Sequence, residues 1–230
     1  AFDRNSKNTF APNGPCFIIS GNEDLKRFKK VFGSNGVHVS KRCQAEDINI
    51  GYQRHYASDA HIKSVGLGDL NADISISETL IRNSEAVFFD ISAIRKQESY
   101  FENSSIIGLD IFQSCALLKS TALSKKNKLV FINTEDLNLK SETEELISIL
   151  FWYYLEGLKH RKTEDIRSPE HQVYLVDSEY YEQPIKFIKG KLTGRWWFIH
   201  PDVNEPIACH QKDYEQLKSG KVPDIFMALI

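Results

Sequence analysis

Two hydrophobic patterns alternate along the chain. Short unbroken apolar runs bounded by polar or turn residues, "CFIIS" at 16–20, "AVFFD" at 86–90 and "KLVFIN" at 128–133, have the length and content of buried parallel strands. Around them apolar residues recur at helical spacing, as with Leu25, Phe28, Val31 and Phe32, then across Ser75 to Ile81, then across 106–123. The strongest helical signal covers 142–159, where Ile147, Leu150, Phe151, Tyr154, Leu155 and Leu158 form one broad core face, opened by a capping box of Ser141 and Glu144. Beyond the charged connection 159–171, "QVYLV", "IKFI" and "RWWFIH" are rich in aromatic and β-branched residues and predict antiparallel strands, joined by turns such as "KGKLTG". The stretch Gly33 to Gly51 carries little periodicity. Strands that alternate with helices predict an α/β domain with a mainly parallel sheet, followed by additional C-terminal strands. The expected organisation is one domain over 1–230, with 172–230 as its strand-rich extension.

Composition narrows the function classes. The 230 residues include 41% hydrophobic and 26% charged side chains, an ordinary globular balance. A net charge of −2, from 29 basic and 31 acidic residues, offers no basic footprint for nucleic acid or an anionic membrane. The densest basic cluster, Lys125, Lys126 and Lys128, reads as a solvated loop. Four scattered cysteines, Cys16, Cys43, Cys115 and Cys209, form no CxxC pair and suggest neither a zinc knuckle nor a disulfide framework. No segment reaches the about 18 to 20 apolar residues of a membrane span. A cleaved signal peptide would leave no trace in this sequence, so cytoplasmic is the default expectation.

Candidate chemistry gathers at "SEAVFFDISAIRK" (84–96), where a buried strand ends on Asp90, the place at which open α/β sheets collect ligands. Two residues on, where a second carboxylate on the same strand face would complete a metal clamp, stands Ser92. No GxSxG elbow or complete Gly-rich phosphate loop occurs, and Cys115 sits in an apolar helical setting. Trp196 and Trp197 fall on opposite faces of a strand, so one is core and the other, with Arg195, is a candidate anchor for a protein partner.

"IGYQRHY" (50–56), "VFFDISAIR" (87–95), "FWYYLEGLKHRK" (151–162), "GRWWFI" (194–199) and "ACHQKDYEQLKSGKVPDIF" (208–226) together resemble a bacterial branch of the arginase, agmatinase and formimidoylglutamase family. The resemblance implies a three-layer αβα arginase/deacetylase-like fold and hydrolysis of guanidino or formimino C–N bonds at two bridged manganese ions. Such a pair polarises water to hydroxide at neutral pH. Measured against the family's motifs, the chain departs four times. In the closing motif SxDxDxxDP, Asp90 matches the first ligand while Ser92 replaces the second and Arg95 the proline step. The opening GGxH falls at "SGNE", with Glu23 in the histidine place, where a helix-start acid is the simpler reading. The central DAHxDxN has a look-alike in "SDAHIKS", Asp59 to His61, but Lys63 stands where the bridging aspartate belongs, and the strand that should bear this motif is expected to be missing between Leu25 and Gly51. The substrate-facing acid falls on Asn133, or on Glu135 after a slip of two.

These departures lead to the expectation of a ureohydrolase-like pseudoenzyme with no cofactor, acting as scaffold or subunit of a protein assembly, a homo-oligomer being one form of it. The alternative is a manganese-dependent, formimidoylglutamase-like hydrolase using Asp90, Asp59, His61 and Glu23. A third class, a ligand sensor keeping the pocket without its metals, stays open.

Overall fold

In the computed structural model, which describes residues 15–32, 35–43, 47–56, 63–135, 139–162, 164–179, 182–200 and 205–227, the central element is a six-stranded parallel sheet. Its strands are β1 (Cys16–Ser20), β2 (Gly36–Val39), β3 (Ile48–Tyr52), β4 (Val65–Gly66), β5 (Ala86–Asp90) and β6 (Leu129–Asn133). They lie in the order β1-β6-β5-β2-β3-β4. The chain runs from β1 across two places to β2, steps outward to β4, and returns to insert β5 and β6 in the gap. That return makes a topological switch beside β5 and β2, and the polar ends of these strands open there.

Alternation along the strands builds three layers. Ala86 and Phe88 of β5 and Leu129 and Phe131 of β6 pack with Leu25, Phe28 and Phe32 of α1 (Asn22–Phe32) on one face. Val87, Phe89, Val130 and Ile132 face the other way, onto α5 (Ile111–Leu123) and α6 (Ser141–His160), through Leu117, Leu118, Leu146, Ile147, Leu150 and Tyr154. Shorter helices α2 (Leu67–Ala72), α3 (Ile76–Asn83) and α4 (Lys96–Ser99) complete the connections. α5 and α6 approach closely at Gly157, where an added Cβ would stand 2.6 Å from both the Ala122 Cβ and the Lys119 carbonyl oxygen.

The C-terminal strands β7 (Gln172–Val176), β8 (Ile185–Lys189), β9 (Trp196–Ile199) and β10 (Pro206–Cys209) form an antiparallel sheet in the order β10-β9-β8-β7. With α7 (Gln211–Lys218) and α8 (Asp224–Met227) they enclose a second apolar cluster around Phe187, Trp196, Phe198 and Phe226. The "KGKLTG" turn joins β8 to β9, closed by Gly190 N–H to Arg195 O at 2.8 Å, with Gly194 at φ 68°. Arg82 and Asn83, at the end of α3, fasten this sheet to the first. Arg82 Nη2 donates to the carbonyls of Trp196 and Cys209, both at 2.9 Å, and Asn83 exchanges two hydrogen bonds with the backbone of Ala208.

Four sequence expectations need correction. A strand does lie between Leu25 and Gly51, where one was thought missing: β2, which His38 hides by interrupting its apolar run. The helix expected over 106–123 starts at Ile111, capped by a reciprocal pair between Asp110 and Gln113, and leaves Ile106 and Ile107 exposed. α6 has Lys140 rather than Ser141 at its cap position, and the Ser141 hydroxyl turns to Glu142. On that helix Phe151 and Leu155, expected in the core, are 39% and 41% exposed. No disulfide joins the four cysteines, and no helix among the described residues is long and apolar enough to cross a membrane.

Candidate functional site

The site to be judged is the carboxyl end of the parallel sheet around Asp90. β5 and β6 run in register, pairing Asp90 with Asn133, and β1 brings Ser20 level with Asn133. Val39, the last residue of β2, pairs with Phe89, so Ser40 and Lys41 leave the sheet beside Asp90. The strand ends flanking Asp90 therefore carry an amide on one side and a cation on the other.

Each side chain is already committed. Asp90 Oδ1 accepts the Ser92 backbone N–H at 2.9 Å and caps the single 3-10 turn Ile91–Ala93. Ser92 is buried, and its hydroxyl makes no hydrogen bond of normal geometry although it lies close enough to favour the charged carboxylate. Burial pushes the Asp90 carboxyl above its ordinary pKa, opposed by the Ser92 hydrogen bonding; the charge of Glu135 pushes further up and that of Lys41 pulls down. Asn133 donates from Nδ2 to Asn22 Oδ1 at 3.0 Å and accepts the Glu135 N–H at 3.2 Å. That second bond holds Glu135 in a left-handed conformation at φ 60°, with its carboxylate accepting from Asn103 Nδ2. Lys41 is buried, donates to the Asn103 carbonyl and sits 5.7 Å from the centre of the Tyr56 ring. Lys41, Asn103 and Glu135 thus form a polar strap over the sheet end.

The sequence candidates do not converge here. Glu23 lies on the first turn of α1 with its side chain 88% exposed and 3.9 Å from Lys26, as a helix-start acid would. Asp59 and His61 fall outside the described residues. Arg195, Trp196 and Trp197 lie on the C-terminal sheet, and neither tryptophan is the exposed anchor expected of one of them: they are 6% and 9% exposed. Their faces do alternate, but both faces are covered. Trp196 stacks between Tyr174 and Tyr214, while the Arg82 guanidinium covers Trp197 at 4.8 Å. Sequence reasoning missed Lys41 and Asn103 because neither belongs to a motif. The available signal was "GVHVSK", a short β-branched run with a polar exit.

Among the described residues the donor set does not fit a pair of divalent cations. Among the described residues no three His, Cys, Asp or Glu side chains gather as a metal would require. Asp90 and Glu135 are the carboxylates of the strand ends, with a lysine ammonium close enough to act on Asp90. Hard dications call for several anionic oxygens, and a neighbouring ammonium repels them. The network instead satisfies backbone and amide groups and closes the sheet end.

A six-stranded parallel sheet between helices, with an antiparallel C-terminal sheet, is the arginase-like α/β fold of the ureohydrolases. The particular proteins it resembles are formiminoglutamases. The Trypanosoma cruzi formiminoglutamase with Mn2+, in its oxidised form at pH 8.5, superposes with a TM-score of 0.51 at 10% identity over 64% of each chain. A further structure of that enzyme with Mn2+ gives 0.51 at 11% identity, over 64% of this chain and 66% of that one. Entamoeba histolytica arginase in complex with L-ornithine gives 0.47 at 11% identity, over 62% and 70%. At such identities the likeness is one of fold, and the chain spans about 64% of the length of the first of these enzymes. No protein-family model and no curated protein matches the sequence.

Proposed function

We propose that this chain is a ureohydrolase-like protein without hydrolytic activity that serves as a scaffold or subunit of a protein assembly. The observation that carries the reading is the pair of neighbours flanking Asp90: Lys41 leaving β2 and Asn133 ending β6, with Asp90 itself occupied as a turn cap. A strand edge so arranged is balanced without added cations. Support for the assembly role comes from the β1 margin of the sheet. β1 is an edge strand, Ile19 on it is 45% exposed, and parallel sheets are ordinarily covered. Phe151, Trp152 and Leu155 of α6 stand alongside, with Phe151 4.8 Å from Phe17 of β1 and Trp152 69% exposed. An apolar helix face beside a strand that has no outer partner among the described residues suits a protein partner better than Arg195, Trp196 and Trp197 do.

The second reading, a metal-dependent hydrolase of a formimino or guanidino C–N bond, is favoured by one observation: Asp90 and Glu135 lie close enough that the charge of one raises the pKa of the other. Elemental analysis of purified protein supplied with manganese decides between the two. Far less than one manganese per chain, with formiminoglutamate, arginine and agmatine unhydrolysed, is the expected result. Two ions per chain and a hydrolysis abolished by Asp90→Ala would overturn the proposal.

A further inference from the structure

A cavity of about 190 Å³ lies where the end of α3, the chain leaving α5 and the start of β9 meet, on the far side of the molecule's chemistry from Asp90. Five cationic side chains line it, Arg82, Lys125, Lys126, Lys162 and Arg195, against the acids Glu164 and Glu205. In a chain whose net charge is −2, such a concentration is local and specific. We propose that this cavity binds the phosphate group of a small metabolite.

Arg82 is only 7% exposed. Its Nη2 is used twice on backbone carbonyls, which explains its role as a clamp, but Nη1 has no hydrogen-bond partner among the described residues. Its carboxylate neighbour is shared. Glu78 stands 3.5 Å from Arg82 Nε and 3.2 Å from Arg195 Nε, so one negative charge serves two guanidinium groups. Glu164 cannot make up the deficit freely, because its carboxylate already accepts the Leu192 N–H at 2.7 Å and the Thr193 hydroxyl. Lys125, Lys126 and Lys162 are exposed at the rim and form no ion pair with a described residue, whereas nearby Lys128 is taken by Glu85 at 2.9 Å. Arg82 and Asn83 make the clamp between the sheets, and Arg195 pairs with Glu78 and donates to the Leu123 carbonyl; none of this needs three lysines around the same space.

Charge and size select the ligand. Guanidinium groups and ammonium groups converging on one space favour an oxyanion with several acceptor oxygens and more than one negative charge, which describes a phosphate group better than a single carboxylate. The volume is below the roughly 300 to 1,000 Å³ of sites for drug-sized ligands, so the substituent on the phosphate is small. Of the three lysines expected to form a solvated loop, Lys125 and Lys126 thereby gain a ligand, and Lys128 pairs with Glu85.

Calorimetric titration and thermal unfolding at constant ionic strength test this, with inorganic phosphate and glycerol phosphate as probes and chloride and succinate as controls. Either phosphate should bind and raise the melting temperature above the chloride control. The triple variant Lys125→Ala, Lys126→Ala, Lys162→Ala alters exposed residues, should melt like the parent without phosphate, and should bind at least about tenfold more weakly. Absence of phosphate-specific stabilisation, unchanged binding by the triple variant, or succinate binding as tightly as phosphate would each overturn the proposal.

Discussion

His38 gives the fold a calculable acid weakness. It occupies the middle of β2, between β5 and β3, with its ring stacked on Phe88 at 4.8 Å and only 8% of its surface exposed. Burial lowers its pKa first, the Lys29 ammonium lowers it further, and Asp47, 3.6 Å away, raises it only in part; the outcome is about 4 against an ordinary 6.5. Asp47 is weak compensation because it is engaged with Lys29 at 2.7 Å. The folded chain therefore resists a proton that the unfolded chain accepts below 6.5, and stability falls as pH drops from 6.5 towards 4. At about 1.4 kcal/mol per pKa unit the full window is worth about 3 kcal/mol, of which about 2 is lost by pH ~5. Against a typical total of roughly 5 to 15 kcal/mol that is a large share. Urea unfolding of the parent and of His38→Phe, from about pH 7 to about pH 4.5, measures it. The aromatic replacement keeps the stack on Phe88 and removes the titration, so the two stability curves should diverge on acidification, with the parent falling faster. Parallel curves, or a parent that gains stability on acidification through the Asp47 contact, would refute the reasoning.

Three further outcomes are expected from single substitutions. Asp90→Asn keeps the acceptor for the Ser92 N–H and should stay within about 0.5 kcal/mol of the parent in chemical denaturation, whereas Asp90→Ala loses the cap and should cost about 1 kcal/mol. Gly157→Ala gains about 1 kcal/mol of helix propensity, but its Cβ would stand 2.6 Å from the Ala122 Cβ and the Lys119 carbonyl oxygen; a net loss of about 1 to 3 kcal/mol should appear as a lower melting temperature. Asn83→Ala strips the buried backbone of Ala208 of a donor at 3.2 Å and an acceptor at 2.9 Å, and about 2 kcal/mol of local stability should vanish, seen as faster hydrogen exchange in β10.

What the sequence made legible follows from how locally each feature is encoded. β5 and β6 are unbroken apolar runs because both of their faces are covered, and such runs announce themselves; β1 reads the same way in sequence although Ile19 on it is 45% exposed. β2 was lost because a histidine stands in its middle, tolerable only through the stack on Phe88, a contact between segments 50 residues apart in the chain. β4, at two residues, is too short to carry a period. The α6 face was half right: Ile147, Leu150 and Tyr154 are buried, but Phe151 and Leu155 look towards the open margin at β1, which periodicity cannot distinguish from core. Asp90 was legible as the end of a buried strand. Its neighbours Lys41 and Asn103 were not, because only the placement of β2 brings them to the same edge.

The layering and the strand-end chemistry of this fold are physically separable, so the sheet can hold its form whatever side chains stand at the strand ends. On β5 the residues Ala86 to Phe89 are buried and bind the sheet to helices on both faces, while Asp90 lies past that packing. Substitution at strand ends therefore costs the core little. It does, however, obey electrostatics: carboxylates crowded at adjoining strand ends repel one another unless cations hold them, so a sheet end without cations is more stable with amides, hydroxyls or an opposing ammonium in those places. Ser92, Asn133 and Lys41 around Asp90 are groups of that kind: Ser92 is buried, Asn133 donates to Asn22 and Lys41 donates to the Asn103 carbonyl. Placing a single carboxylate beside Asp90, as in Ser92→Asp, should then not recruit manganese. It should raise the Asp90 pKa further and lower stability, because the buried pair gains repulsion while Lys41 remains in place.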